Sequence, residues 1–326
     1  MNPQGRHWRP GATPERLRAR ALMLTTIRNF FSVRAVLEVD TPQLVNHAVT
    51  DLNLHSAQLR WPGSNDSLHY LHTSAEYAMK RLLAAGSDDI YQLCHVFRGE
   101  ESGPLHNSEF MMLEWYRLGW SLEQLTAEVD ELLRLLLGAI ALAPTRFVSY
   151  EQAFQTTVSC NPLTASDAAL AACARDQGLD AQLVQRCSRD ELLDLLMGAR
   201  IGPQLGLGGP VFLHRYPASQ AALARLDPED PRVALRFELY LQGVELANGF
   251  EELSDEQTQR ARFESDQRQR RERHLHVPAA DEYLLAALGH GLPPCSGVAV
   301  GIDRVLMLAT GATHIGDVMA FTSDRA

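Results

Sequence analysis

The sequence predicts an α+β fold, and three stretches carry that expectation. Residues 97–117 read as a strand, a polar loop turned at Gly103-Pro104, and a second strand. Residues 236–255 read as two strands joined at Gly243, and residues 296–308 as a glycine-pocked strand running into an apolar helix. Segments of helical spacing stand before and between them.

A chain of 326 residues with 45% hydrophobic content can bury a large core, as one domain or as one domain carrying an insertion. No apolar run reaches the roughly 18 residues that cross a membrane, and residues 1–10 lack the apolar stretch of a signal peptide. A soluble, cytoplasmic protein with no membrane partner is therefore expected. Five widely spaced cysteines without a Cys-x-x-Cys pair point to reduced thiols, not to disulfides or zinc. His274 and His276 have no acid or cysteine at ligand spacing and read as loop residues. The net charge of −10 gives no general attraction for nucleic acid. Lys80 is the only lysine, so a mechanism needing a lysine nucleophile has one candidate.

Taken in order, Thr13-Pro14-Glu15 opens a helix with a hydroxyl cap and a first-turn proline, and Leu17, Leu24, Ile27 and Phe31 follow at near-helical spacing. Residues 36–42 switch to a strand that ends at a proline. Residues 69–73 read as a short strand, and 74–83 as a helix capped by Thr73 or Ser74. Glu76 falls in its first turn, where the macrodipole favours an acid. In the hairpin that follows, alternation puts Phe110, Met112, Glu114 and Tyr116 on one face of the return strand, and points Arg98 and Glu100 the same way on the first. A ring, opposite charges and a tyrosine hydroxyl at sheet depth suit a flat base, an anionic phosphate and an ammonium group. An edge hairpin with its charges in water is the alternative that alternation leaves open.

Ser121-Leu122-Glu123-Gln124 is a capping box for a helix that ends before Pro144. Residues 145–209, with a second box at Ser188-Arg189-Asp190-Glu191, read as a helical insertion between two halves of a sheet, and no chemistry is assigned to them. Residues 202–210 are glycine-rich but lack the Gly-Lys-Ser/Thr ending of a phosphate loop, so they read as a turn. Residues 211–217 form the next strand. In 236–255, Glu245 stands on the second strand, and a turn at Asn248-Gly249 is expected to bring Glu252 back toward it. Two converging carboxylates beside an amide suit Mg²⁺ on nucleotide phosphates. Ser254-Asp255-Glu256-Gln257 caps a long helix whose arginines, through Arg273, are expected to form a solvated face.

The order Phe-Arg-x-Glu, loop, His-Asn-x-Glu-Phe, then Glu-x-Tyr resembles motif 2 of the class II aminoacyl-tRNA synthetases, and Glu114 with Tyr116 resembles the lysine branch of that family. The helix, strand and proline of residues 14–42 resemble motif 1, the dimer-forming element. Residues 245–255 closely match the lysine branch, and 296–308 resemble motif 3, Gly-x-Gly-x-Gly-x-Asp-Arg. The resemblance implies a mainly antiparallel sheet flanked by helices, a homodimer, and ATP with Mg²⁺. It implies that Phe110 stacks on adenine and that Arg98 and Arg304 are catalytic, holding phosphates. Gly99, Glu100, His106, Asn107, Leu246 and Gly301 would complete the nucleotide site, and Glu245 and Glu252 would organise Mg²⁺. Ser74, Ala75, Glu76, Glu114, Tyr116, Asn248, Glu252 and Ala299 would surround an amino acid with two ammonium groups.

The sequence departs from lysyl-tRNA synthetases in three ways. Motif 1 begins near residue 14, where they carry an oligonucleotide-binding barrel first; Ala75 replaces a proline; and Ala299 replaces a motif 3 glycine. The missing barrel and the alanine methyl, which disfavours α-lysine, resemble the truncated bacterial homologues that modify elongation factor P. That resemblance implies activation of (R)-β-lysine as an adenylate and transfer to a lysine of elongation factor P, with tRNA not expected as acceptor. Two alternatives stay open: a stand-alone lysyl-type synthetase acting on tRNA, and a non-enzymatic amino-acid sensor. Loss of Arg98, Glu245 or Arg304 would mark the sensor, and all three are present.

Overall fold

Helix α1 (Pro14–Ser32) begins where local chemistry dictates: Thr13 Oγ1 accepts the Arg16 N–H and Pro14 occupies the first turn. The structure, a computed structural model, describes residues 8–60, 67–99, 102–138 and 140–326. Strand β1 (Leu37–Glu38) is shorter than the strand expected over 36–42, and β2 (Leu44–Val45), β3 (Gln58–Arg60) and β4 (Leu68–Leu71) form a small sheet in the order β2-β4-β3. Helix α2 (Glu76–Ala84) has Ala75 at its N-cap, while Ser74 Oγ still accepts the Glu76 N–H at 3.0 Å. The expected hairpin is β5 (Ile90–Phe97) and β6 (Glu109–Leu118). Helix α3 (Leu122–Leu136) carries the expected capping box from Ser121 and Gln124.

Next come β7 (Arg146–Ser149) and helices α4 (Tyr150–Val158), α5 (Asp167–Asp176), α6 (Ala181–Arg186) and α7 (Arg189–Leu196), the last with its own box from Ser188 and Glu191. Strands β8 (Val211–Pro217), β9 (Val233–Leu241) and β10 (Val244–Glu251) lead to α8 (Glu256–Glu272), α9 (Glu282–Gly291), β11 (Cys295–Gly301) and α10 (Ile302–Thr310). The large sheet runs β1-β5-β6-β11-β10-β9-β8-β7, and all its neighbours are antiparallel except β1 with β5 and β7 with β8.

Register divides this sheet into two chemistries. Leu113, Trp115, Val298, Val300, Leu246 and Ala247 point into the main core with residues of α1, α3 and α10. The alternate positions form a row across four strands, Glu114 opposite Ala299, Ala299 opposite Asn248, and Asn248 opposite Glu238. Burying such a row requires something polar to meet it, so this face belongs to a site. Helices α4 to α7 pack at the β8–β9 end of the same face through a second apolar cluster, in which Tyr150, Phe154 and Leu193 meet Leu213, Tyr216 and Tyr240.

One expected surface is not solvated throughout. Arg270 of α8 is buried, its guanidinium donating to the carbonyls of Thr50 and Leu54 at 2.8 Å, His276 at 2.9 Å, and Asp51. A planar group with five donors can tie together a loop whose carbonyls have no strand partner.

Candidate active site

A cavity of about 700 Å³ lies over the polar row. Its wall takes in every residue expected at the site apart from Ala75, Gly99 and Glu100, and Glu100 lies outside the described residues.

At one end, acids gather. Tyr116 Oη donates to Glu114 Oε1 at 2.6 Å, while Ser74 Oγ at 2.8 Å and the Ala75 N–H at 3.2 Å donate to Oε2. Burial pushes the Glu114 carboxyl up to about 7 and the charge of Glu76 adds to this, against those three hydrogen bonds. Lys80 is fully buried, its ammonium 2.7 Å from Glu76 Oε1 and 2.6 Å from Glu252 Oε2. Burial works against its charge, but Glu252 and Glu76 outweigh burial and raise its pKa. Held between two carboxylates as an ammonium, Lys80 is no nucleophile. Burial also raises Glu252; Lys80 opposes this, and Glu76 and Glu114 add to it. Gly297 clears the space, since a Cβ there would strike the Tyr116 ring and lie 2.6 Å from Glu252 Oε1. The Ala299 methyl stands in the row beside Glu114.

At the other end, arginines meet an aromatic ring. The Arg98 guanidinium lies 5.2 Å from the Phe110 ring centroid. Arg304, in the first turn of α10, donates to the Glu245 carbonyl at 2.9 Å and the Leu105 carbonyl at 3.3 Å, and lies 2.7 Å from His106 Nε2. Gly301 caps that helix, and Leu246 sits at the cavity floor and in the core beneath. The Gly99 N–H donates to the His55 carbonyl at 2.7 Å. The Asn107 side chain donates to the Glu109 carbonyl at 2.6 Å and accepts the Ser323 N–H at 3.0 Å, so its amide ties the loop to the C-terminal segment.

The expected convergence of Glu245 and Glu252 on one Mg²⁺ is corrected. Strand β10 runs unbroken through Asn248 and Gly249, and at roughly 3.3 Å per residue the two acids stand on the order of 20 Å apart. Gly249 makes no turn: it gives way to the Phe237 ring, whose nearest atom would lie 2.5 Å from an added Cβ. Glu252 instead belongs with Lys80 at the acidic end. The carboxylate that crowds Glu245 is Glu238 on β9. Burial pushes Glu245 up to about 7, Glu238 adds to it, and Arg304, Arg236 and Arg98 oppose. Glu238 itself accepts from Arg236 at 2.6 Å and from the Tyr240 hydroxyl at 2.7 Å.

Glu238 and Arg236 were missed by sequence reasoning, and Lys80, considered there only as the one lysine open to a nucleophile's role, was not placed between Glu76 and Glu252. The signal for the first two lay in β9, where Arg236, Glu238 and Tyr240 alternate with Phe237, Leu239 and Leu241. Lys80 stands one helical turn after Glu76, at the spacing of an ion pair.

A family model described as tRNA synthetases class II (D, K and N) matches residues 6–325. The chain is 48% identical over 322 residues to an elongation factor P--(R)-beta-lysine ligase of Klebsiella pneumoniae, covering 98% of each chain. A ligase of the same name from Erwinia tasmaniensis is 48% identical over 321 residues, again 98% of each, and one from Vibrio vulnificus is 47% identical over 317 residues, 96% of this chain and 97% of that one.

Proposed function

The chain belongs to the class II tRNA synthetases (D, K and N), and from that premise we propose that it is a ligase that activates (R)-β-lysine with ATP and transfers it to a lysine side chain of elongation factor P. The observation that carries this reading is the polarity of the cavity: three carboxylates and a tyrosine at one end, arginines and a phenyl ring at the other. The relatives reported above, matched over 97–98% of their length and named for this ligation, supply its substrates.

In this reading Phe110 stacks on adenine, and Arg98 and Arg304 hold the phosphates, with His106 and Gly301 beside them. Glu76, Glu114 and Glu252 accept the N–H groups of the two ammonium groups, and Tyr116, Ser74 and the Ala75 N–H orient Glu114. The substrate carboxylate attacks the α-phosphorus of ATP; a new P–O bond forms as the bond to pyrophosphate breaks. The neutral ε-amine of the acceptor then attacks the acyl carbon, a C–N bond forms as the bond to AMP breaks, and the nitrogen gives up one proton to solvent while the amide keeps its N–H. No protein nucleophile takes part. Glu238 and Glu245 fit Mg²⁺, because both are oxygen donors and burial with mutual repulsion makes their joint ionisation costly. The ion would supply positive charge toward the nucleotide phosphates.

The same reading takes the chain as one catalytic domain with residues 145–209 inserted, a cytoplasmic enzyme and a homodimer through α1 and β1. Leu22, Val33 and Leu37 are exposed there, and β1 is a sheet edge. Among the described residues no helix is long and apolar enough to cross a membrane.

The test supplies ATP, Mg²⁺ and either α- or (R)-β-lysine, with elongation factor P and bulk tRNA as competing acceptors. Mass added to elongation factor P, more with β-lysine, is expected. Label on tRNA alone would make the chain a lysyl-type synthetase.

A further inference from the structure

The helical insertion forms one wall of the cavity and has polar groups that adenylate formation does not use. Asp190 and Asp194 stand four residues apart on α7, on one helical face, and both line the cavity. Each already accepts one hydrogen bond from a neutral donor: Ser219 Oγ reaches Asp190 Oδ1 at 2.6 Å, and Gln220 Nε2 reaches Asp194 Oδ1 at 2.7 Å. Beside them, Tyr150 at the start of α4 is 1% exposed, lines the same cavity, and its hydroxyl has no hydrogen-bond partner among the described residues. A buried hydroxyl left unpaired is costly and asks for an occupant.

This wall is wired to the centre of the site. The Gln220 carbonyl accepts from Arg236 at 2.7 Å, and Arg236 Nε donates to Asn248 Oδ1 at 3.3 Å, next to Ala299 in the polar row. A group held at Asp194 is thus two hydrogen-bonded residues from Asn248. The wall is also distinct from the acidic end, whose carboxylates Glu76 and Glu252 already share Lys80. Asp194 is exposed and lines the cavity; partial desolvation, with Asp190 and Glu238, pushes it up to about 6 against Arg236.

We propose that Asp190, Asp194 and the Tyr150 hydroxyl receive the side-chain ammonium of the acceptor lysine as it docks, the ammonium giving up one proton to solvent before its amine attacks, making the insertion the acceptor-side wall of the cavity. The chemistry selects an ammonium: it offers three N–H donors, and two carboxylates with a hydroxyl oxygen offer matching acceptors. A hard divalent cation would favour carboxylates, carbonyls and water over a neutral phenol. The proposal rests on the protein-lysine transfer reading above.

The test separates the two half-reactions in D194N, D190N/D194N and Y150F. Pyrophosphate exchange should be unchanged, and so should trapping of the adenylate by hydroxylamine, which is uncharged at neutral pH. Single-turnover transfer from preformed adenylate to elongation factor P should fall about tenfold or more in D190N/D194N, the loss expected of a hydrogen bond to a charged group. Wild-type transfer in D190N/D194N overturns the proposal, as does a parallel fall in exchange, which would assign the wall to the first step or to the fold. If wild-type enzyme charges tRNA and not the protein, it is the transfer reading that fails.

Discussion

Lys80 shows how much one residue decides. Three carboxylates close around the acidic end of the cavity, and one internal ammonium offsets one of them, leaving a balance that suits a substrate with two ammonium groups. Glu114 makes this testable by pH. Its carboxyl moves from an ordinary 4.5 to about 7, so between those values the folded chain binds more protons than the unfolded one. Its contribution to stability is fully present below 4.5 and is lost as pH rises through about 7. A dicationic substrate prefers the ionised form, so KM for the amino substrate should rise as pH falls below about 7, up to tenfold per unit. Pyrophosphate exchange from pH 6 to 8.5 measures this, and Glu114→Gln should flatten the profile. Arg98→Ala and Glu245→Ala should each abolish exchange while circular dichroism stays native, and wild-type exchange in either removes its assigned role. Ala299→Gly should improve use of α-lysine; an unchanged preference would place the methyl outside the amino-acid pocket.

Single elements were legible to the degree that their chemistry is local. The caps of α1, α3 and α7 follow from hydroxyls, joined in α3 and α7 by glutamine or glutamate three residues on, groups that meet whatever the rest of the chain does. The faces of β6 follow from its alternation. Asn248-Gly249 misled because it is a turn signal only where no neighbouring strand claims the backbone, and here β9 and β11 claim both sides. Helix α8 misled in the same way: its arginine run reads as solvated until the carbonyls of residues 50–54 come to Arg270. Arg270→Met should therefore destabilise the protein by about 2–4 kcal/mol, by stranding buried carbonyls, as read from urea unfolding. A change below about 0.5 kcal/mol would mean that water replaces the guanidinium there.

For the whole molecule, the homodimer proposed above would form through the β1 sheet edge and the exposed Leu22, Val33 and Leu37. On that proposal Val33→Glu with Leu37→Glu should leave a monomer in sedimentation where the wild type sediments as a dimer, with loss of activity if the proposed dimer supports the α1 contacts to α10, where Arg20 pairs with Asp303. A wild-type monomer in sedimentation would remove the dimer from the reading.

By itself the sequence determined the α+β class, the helix caps, the polar face of the hairpin and the three motifs that resemble its family, because each is written in residues close along the chain. The tertiary structure alone decided which charges meet. Glu238 reaches Glu245 through strand register, Lys80 joins Glu76 to Glu252 across a helix and a strand, and the insertion lays Asp194 and Tyr150 along the cavity. Electrostatics in a buried site depends on distances through space, and spacing along the chain does not encode them.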